Sequence, residues 1–195
     1  MPRTFFLRKR RALEPHVRQA YAKRTLPQLH KLFTLLRSRL PKNTYVGLYA
    51  DAFGELPTLP IVFLCQQYDY TALLPVVCGK RLRFAPLLSP KRTSHQGMIS
   101  ADYPFKRHKL GMLEPLIKPA YSIAALDICF CPLVAVGKNG TRLGMGGGFY
   151  DRTLAQFTGV KVGYCYDFQV TEQLVGKPWD CQMDYIVTPT RLYIV

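Results

Sequence analysis

Residues 139–155 read NGTRLGMGGGFYDRTLA. Gly144, Gly146, Gly147 and Gly148 fall close together, Arg142 precedes them, and Asp151 and Arg152 follow at once. Such a loop exposes backbone N–H groups and admits positive φ, so a ligand can approach the main chain with no Cβ in the way. Between a strand and a helix, those N–H groups can hold an anion. Arg142 and Arg152 carry forked donors suited to phosphate oxygens. Asp151 offers a carboxylate to magnesium, an ion that otherwise keeps water and phosphate ligands. Two familiar phosphate motifs are excluded: there is no G-x-x-x-x-G-K-[ST], and Phe149 stands where a dinucleotide fingerprint needs its third glycine. On the residues alone, a flexible turn and a phosphate cradle both stay open.

The flanking elements must position this loop. Asp127 to Val136 is β-branched and apolar, as a strand buried on both faces would be. Phe149 to Phe157 reads as a helix. Upstream, residues 8 to about 24 and the i, i+3, i+4, i+7 set Leu29, Leu32, Phe33 and Leu36 predict two helices, the second stopping near Pro41. Thr44 to Ala50 is a short β-rich run, Thr58 to Gln67 a helix, and Thr71–Cys78 with Arg81–Phe84 two strands joined at Gly79 and Lys80. Pro86 to Pro119 lacks a period and predicts long loops. Val160–Tyr166 and Tyr185–Val187 supply further strands, separated by a segment with Lys177, Pro178, Trp179 and Asp180. Strands alternating with helices imply an α/β layered fold.

The chain has 195 residues, 48% hydrophobic and 20% charged, which fits one globular domain with a substantial core. No apolar run approaches the roughly 18–20 residues of a membrane span. The opening MPRTFFLRKRR lacks the order of a secretory signal, so a cytoplasmic location is expected. Cysteines at 65, 78, 129, 131, 165 and 181 show no C-x-x-C spacing, and Cys129 and Cys131 would face one side of a strand as reduced, buried thiols. His16, His30, His95 and His108 are scattered and suggest no metal site. The formal charge of +15 favours polyanionic partners: nucleic acid, nucleotides or a polycarboxylated small molecule. A nucleic-acid module would need basic residues and interleaved aromatics on one face, and no such pattern is visible.

The stretch RLGMGGGFYDRTL resembles the signature R-L-G-x-G-x-G-[YF]-Y-D-R of the 5-formyltetrahydrofolate cyclo-ligase family, also called methenyltetrahydrofolate synthetases. Six further segments agree in order and spacing: RRALEP, VGLYADAFGELPT, LLPVV, LGMLEP, DICFCPLVAV and PWDCQMDYIVTP. The resemblance covers nearly the whole chain, residues 1–195 as a single domain. It implies a three-layer α/β/α fold with a central, mostly parallel sheet. It also implies conversion of 5-formyltetrahydrofolate to 5,10-methenyltetrahydrofolate at the expense of ATP, with magnesium: the formyl oxygen attacks the γ-phosphate, N10 closes on the activated carbon, and phosphate leaves.

Carried over by position, Arg142, Leu143, Gly144, Met145, Gly146, Gly147, Gly148, Phe149 and Tyr150 match the ATP loop. Met145 to Phe149 also touch the folate, while Arg142, Tyr150 and Asp151 take the catalytic roles. Asp151 and Asp180 match two metal-linked carboxylates. Glu55 matches a substrate-binding glutamate able to accept pterin N–H donors, and Ala50 an apolar contact. The family's N-terminal lysine is missing. Arg3, Arg8, Lys9 and Arg10 stand nearby, and Arg3 and Arg8 are assigned to ATP. The family's Phe-Asp before the loop is here Val136-Gly137. The expected partner is a folate with or without a polyglutamate tail, bound by a monomer, with neither membrane nor nucleic acid involved. A relative that binds ATP without this turnover is the alternative.

Overall fold

Prolines divide the first forty residues into three helices where two were expected. In the structure, a computed structural model, α1 (Arg3–Arg11) begins earlier than the pattern suggested and stops before Pro15, which opens α2 (Pro15–Arg24). Proline disfavours the helical region for the residue before it, and Glu14 sits at φ −63°, ψ 150°. Pro27 lies in the first turn of α3 (Leu26–Leu36) and has no N–H to continue α2. Residues 2–87, 105–108, 111–116, 120–172, 174–176 and 181–195 are described.

After a 3-10 turn at Arg37–Arg39 come β1 (Tyr45–Gly47), α4 (Leu59–Gln67), β2 (Thr71–Cys78) and β3 (Arg81–Pro86). The segment expected to be loops contains a hairpin, β4 (Phe105–Arg107) with β5 (Leu113–Pro115). Buried Glu114 anchors it by accepting the Val77 N–H at 2.8 Å. Then follow β6 (Ile128–Cys131), β7 (Ala135–Gly137), β8 (Arg142–Leu143), α5 (Phe149–Leu154), β9 (Val160–Tyr164), β10 (Val170–Thr171), β11 (Tyr185–Val187) and β12 (Leu192–Ile194).

One seven-stranded sheet runs β12-β11-β9-β6-β1-β2-β3. Its five inner strands are mutually parallel, and β3 and β12 close the edges antiparallel. The two faces are buried by different elements. Ile128, Phe130, Val162 and Tyr164 pack with Leu29, Leu32, Phe33 and Leu36 of α3 and with Ile61 and Leu64 of α4. Cys129, Cys131 and Ile186 pack on the other face with Leu126, Leu154 and Phe157 around α5. Helices on both faces of a mostly parallel sheet make the three-layer α/β/α arrangement. Cys129 and Cys131 do share a side, with their sulfurs 3.9 Å apart as free thiols, and the Cys131 thiol, together with burial, pushes the Cys129 thiol well up. Among the described residues no helix is long and apolar enough to cross a membrane.

The expected continuous strand 127–136 is broken. Pro132 cannot donate to a ladder, so the chain leaves the large sheet there. It re-pairs as β7 in a small sheet ordered β10-β7-β8. This break matters because β1 and β6 are neighbours whose following helices, α4 and α5, lie on opposite faces. The chain therefore diverges on leaving β1 and β6, and a crevice opens at their carboxyl ends, the usual ligand position in open α/β sheets.

Candidate active site

One guanidinium spans that crevice. Arg10, only 1% exposed, donates from Nε to the Phe53 carbonyl at 3.1 Å and from Nη1 to the Leu133 carbonyl at 3.0 Å. It thus ties the loop leaving β1 to the loop leaving β6. Nη1 also lies 3.6 Å from Glu55 Oε1, and Nη2 lies 3.6 Å from the Met145 sulfur. One buried cation therefore touches both segments expected to meet the folate. The helical period explains why: Arg3, Phe6 and Arg10 share one face of α1, and Phe6 is buried against Val134 and Ala135. Arg8 falls on the other, exposed side. Within the run LRKRR, composition could not choose among the basic residues; the phase of the helix does.

Glu55 is buried, and its Oε2 accepts the Ala52 N–H at 3.1 Å. Desolvation dominates its titration and raises it to about 7, with Arg10 and the Ala52 N–H pulling the other way. The loop carrying it is pinned by tyrosines. Tyr49 Oη donates to the Leu56 carbonyl at 2.6 Å, and Tyr166 Oη reaches the Gly54 and Glu55 carbonyls at 3.2 Å each. Gly54 lies so close to α1 that a Cβ there would stand 2.8 Å from the Arg10 carbonyl. Ala50 sits half-buried at the start of this loop. Across the crevice, Gln169 Nε2 donates to the carbonyls of Leu133 and Val134 at 3.0 and 2.9 Å.

The glycine stretch follows β8. Met145, Gly146 and Gly147 are exposed. Among the described residues, no N–H from Gly144 to Gly148 donates to a backbone carbonyl. Arg3 reaches this loop: a Cβ on Gly146 would lie 3.4 Å from Arg3 Nη1. Gly148 precedes α5 at φ +66°, a conformation costly for other residues, and a side chain there would strike Arg152.

Arg142 is 4% exposed and its fork is occupied by the protein. Nη1 donates to the Pro132 carbonyl at 2.9 Å and Nη2 to Asp151 Oδ1. Among the described residues the Arg142 Nε and the Tyr150 hydroxyl are both buried without a hydrogen-bond partner, and the guanidinium lies 5.8 Å from the Tyr150 ring. Burial pushes the Tyr150 hydroxyl well above its ordinary range. Arg152 instead fastens the loop, donating to the Lys80 and Gly147 carbonyls at 2.8 Å each. Asp151 is partly exposed, and no group of three His, Cys, Asp or Glu side chains poised for a metal occurs among the described residues. Asp180 and Trp179 lie outside the described residues.

The arrangement thus has a buried carboxylate beside an arginine on one wall, and on the other a loop with spare N–H donors, an arginine above it and a carboxylate behind it. Comparison with known proteins identifies the family. The 5-formyltetrahydrofolate cyclo-ligase family matches residues 2–189. The chain is 31% identical to the 5-formyltetrahydrofolate cyclo-ligase of Haemophilus influenzae over 88% of its length and 93% of the relative's. It is 29% identical to the protein of the same name from Escherichia coli over 95% and 97%. The fold superposes on the NMR structure of Aquifex aeolicus 5,10-methenyltetrahydrofolate synthetase with a TM-score of 0.76 and 27% identity, covering 98% of this chain and 90% of that one. From its first helix to its last parallel strand, the chain belongs to the 5-formyltetrahydrofolate cyclo-ligase family.

Proposed function

We propose that this chain converts 5-formyltetrahydrofolate to 5,10-methenyltetrahydrofolate, using ATP and releasing ADP and phosphate. The observation that carries this reading is the convergence of Glu55 and the glycine loop on Arg10 at the mouth of β1 and β6. A formamide oxygen is a poor leaving group. Transfer of the γ-phosphoryl group to it makes it phosphate; N10 then bonds to the formyl carbon, loses its proton, and the C–O bond breaks. The protein contributes position and charge neutralisation.

On this reading Glu55, fixed by Arg10 and Ala52, accepts N–H donors of the pterin, with Ala50 and Met145 as apolar contacts. The spare N–H groups of residues 144–148 and the Arg3 guanidinium take the phosphates. Arg8, on the far side of α1, is the weaker ATP contact of the two assigned. Arg142 holds Asp151 and the loop in place, and Tyr150 packs beside it; the buried Arg142 Nε and Tyr150 hydroxyl would meet ligand oxygens only after the loop shifts.

The donor set fits magnesium: Asp151 offers Oδ2, and the ion takes one or two carboxylates with water and phosphate completing its shell. Asp180 is proposed as the second carboxylate. When bound, the ion would neutralise phosphate charge. Residues 1–195 act as one cytoplasmic catalytic domain, a monomer. The basic excess would attract a polyglutamate tail, and an affinity indifferent to tail length and salt would refute that link.

Purified protein mixed with 5-formyltetrahydrofolate, ATP and magnesium should develop the absorbance of the methenyl product. Folded protein that binds ATP without forming product would overturn the reading in favour of a relative without this turnover. Oligonucleotide binding tighter than ATP binding and strongly salt-dependent would overturn it in favour of a nucleic-acid module.

A further inference from the structure

Phe53 breaks a local rule. Its φ is +53°, a left-handed conformation that glycine adopts freely and a bulky residue does not. Among the described residues the other such non-glycine is Asp69 at φ +59°, in the turn before β2, where a short polar side chain is at home. No local polar contact excuses Phe53. Its neighbour Gly54 already supplies a second left-handed position.

Two observations show what this backbone accomplishes. The Phe53 carbonyl is directed to Arg10 Nε, 3.1 Å away, inside the crevice. The ring, meanwhile, stands 38% exposed, and the turn of the β4–β5 hairpin covers one edge of it, since a Cβ on Gly111 would lie 3.4 Å from Phe53 Cζ. Met145, 45% exposed, also meets Arg10, through its sulfur. Two exposed apolar residues, one by its carbonyl and one by its sulfur, thus meet the arginine of a buried ion pair, Arg10 with Glu55. An exposed aromatic two residues from a buried carboxylate suits a flat ring whose edge carries N–H donors: such a ring can pack on the aromatic while its edge donates to Glu55.

We propose that Phe53 is a substrate-binding residue, its ring forming the wall on which the flat ring system of the folate lies, opposite Met145 and with its edge at Glu55. The proposal rests on the folate reading of this site and adds to it a residue that the family signature does not supply. The strained backbone is then the means by which one residue serves two sides, its carbonyl fixing Arg10 and its ring facing the ligand.

Phe53→Gly separates the ring from the backbone, because glycine keeps the left-handed conformation at no steric cost. With 5-formyltetrahydrofolate as the probe, Phe53→Gly should raise both its KM and its Kd by calorimetry about tenfold, the scale of one stacking contact. The KM for ATP and the Tm should hold, and Phe53→Tyr should restore folate affinity. A folate KM and Kd within about twofold of the parent value, with the parent active, would overturn the proposal alone. So would a lowered Tm with both KM values raised, which would make the ring a support for the hairpin. A parent protein that neither binds nor turns over the folate would overturn the underlying reading as well, and is recognised because no variant is needed to see it.

Discussion

The loop leaving β1 and the glycine loop meet the same guanidinium, but their polar groups are disposed differently. From Ala52 to Leu56 every carbonyl and the carboxylate are committed: Glu55 to Arg10 and Ala52, the Ala52 carbonyl to the Glu55 N–H, and the carbonyls of Phe53, Gly54, Glu55 and Leu56 to Arg10, Tyr166 and Tyr49. From Gly144 to Gly148 no main-chain N–H donates to a backbone carbonyl among the described residues, and the loop is held through Arg152 at Gly147 and the Met145 sulfur. A buried carboxylate needs fixed partners, because a displaced one would be left desolvated and unpaired. Exposed N–H groups are hydrated until an anion replaces the water, so they need no internal partner. Rigid recognition on one wall and spare donors on the other are what these two local chemistries demand.

The sharpest way to break this contrast is Arg10→Met. It leaves Glu55 buried without its cation and removes the tie between the β1 and β6 exits. A loss of about 3–5 kcal/mol in unfolding free energy is expected by denaturant titration, together with loss of turnover. An unchanged midpoint would show that the crevice does not depend on this pair.

The pH dependence of stability probes the same wall. Glu55 rises from an ordinary value of 4.5 to about 7 in the folded protein, so folding binds its proton more tightly. Its contribution is fully present below pH 4.5 and is lost as pH rises through 7. Glu55→Gln should flatten that slope, worth about 3 kcal/mol, when stability is measured across the range. Asp51 is also raised by burial, and comparing the variant with the parent leaves its share unchanged. An identical pH profile in the two proteins would remove burial as the governing influence on Glu55.

On the open wall the effects should fall on catalysis rather than stability. Asp151→Asn keeps an acceptor for Arg142 but weakens the hold on a cation. It should lower kcat on the order of a hundredfold with little change in ATP affinity. Equal losses in both would reassign Asp151 to ATP binding. Arg3→Ala is the mildest change: an exposed arginine beside Gly146 should weaken ATP binding only a few-fold, less at high salt, with no change in Tm.

The contrast also separates what the sequence disclosed from what it withheld. The parallel-sheet strands and the glycine loop were legible because apolar runs and glycine clusters are local signals. Pro132 was visible too, but the apolar run around it concealed that the strand ends there. Arg10 was one of four candidates with Arg3, Arg8 and Lys9 and was not the one assigned; choosing it required knowing that α1 starts at Arg3 and therefore which face meets Val134 and Ala135. Arg142 read as a phosphate clamp because its fork looked free, and only the fold shows Pro132 and Asp151 occupying two of its nitrogens. Phe53 carried no signal at all, since a strained φ has no signature in residue type.

The span of Arg10 across the crevice also governs when the site can form. Its hydrogen bonds join residues 43 and 123 apart in sequence, and its sulfur contact joins residues 135 apart. Loop-closure entropy is incurred before such contacts return any free energy. The helices of the α3–α4 layer and the β2–β3 hairpin can be ordered early, whereas α1 has nowhere to dock until both β1 and β6 are in place. During refolding, secondary structure should therefore return before ligand binding, and the interval between the two measures the docking of a single N-terminal helix.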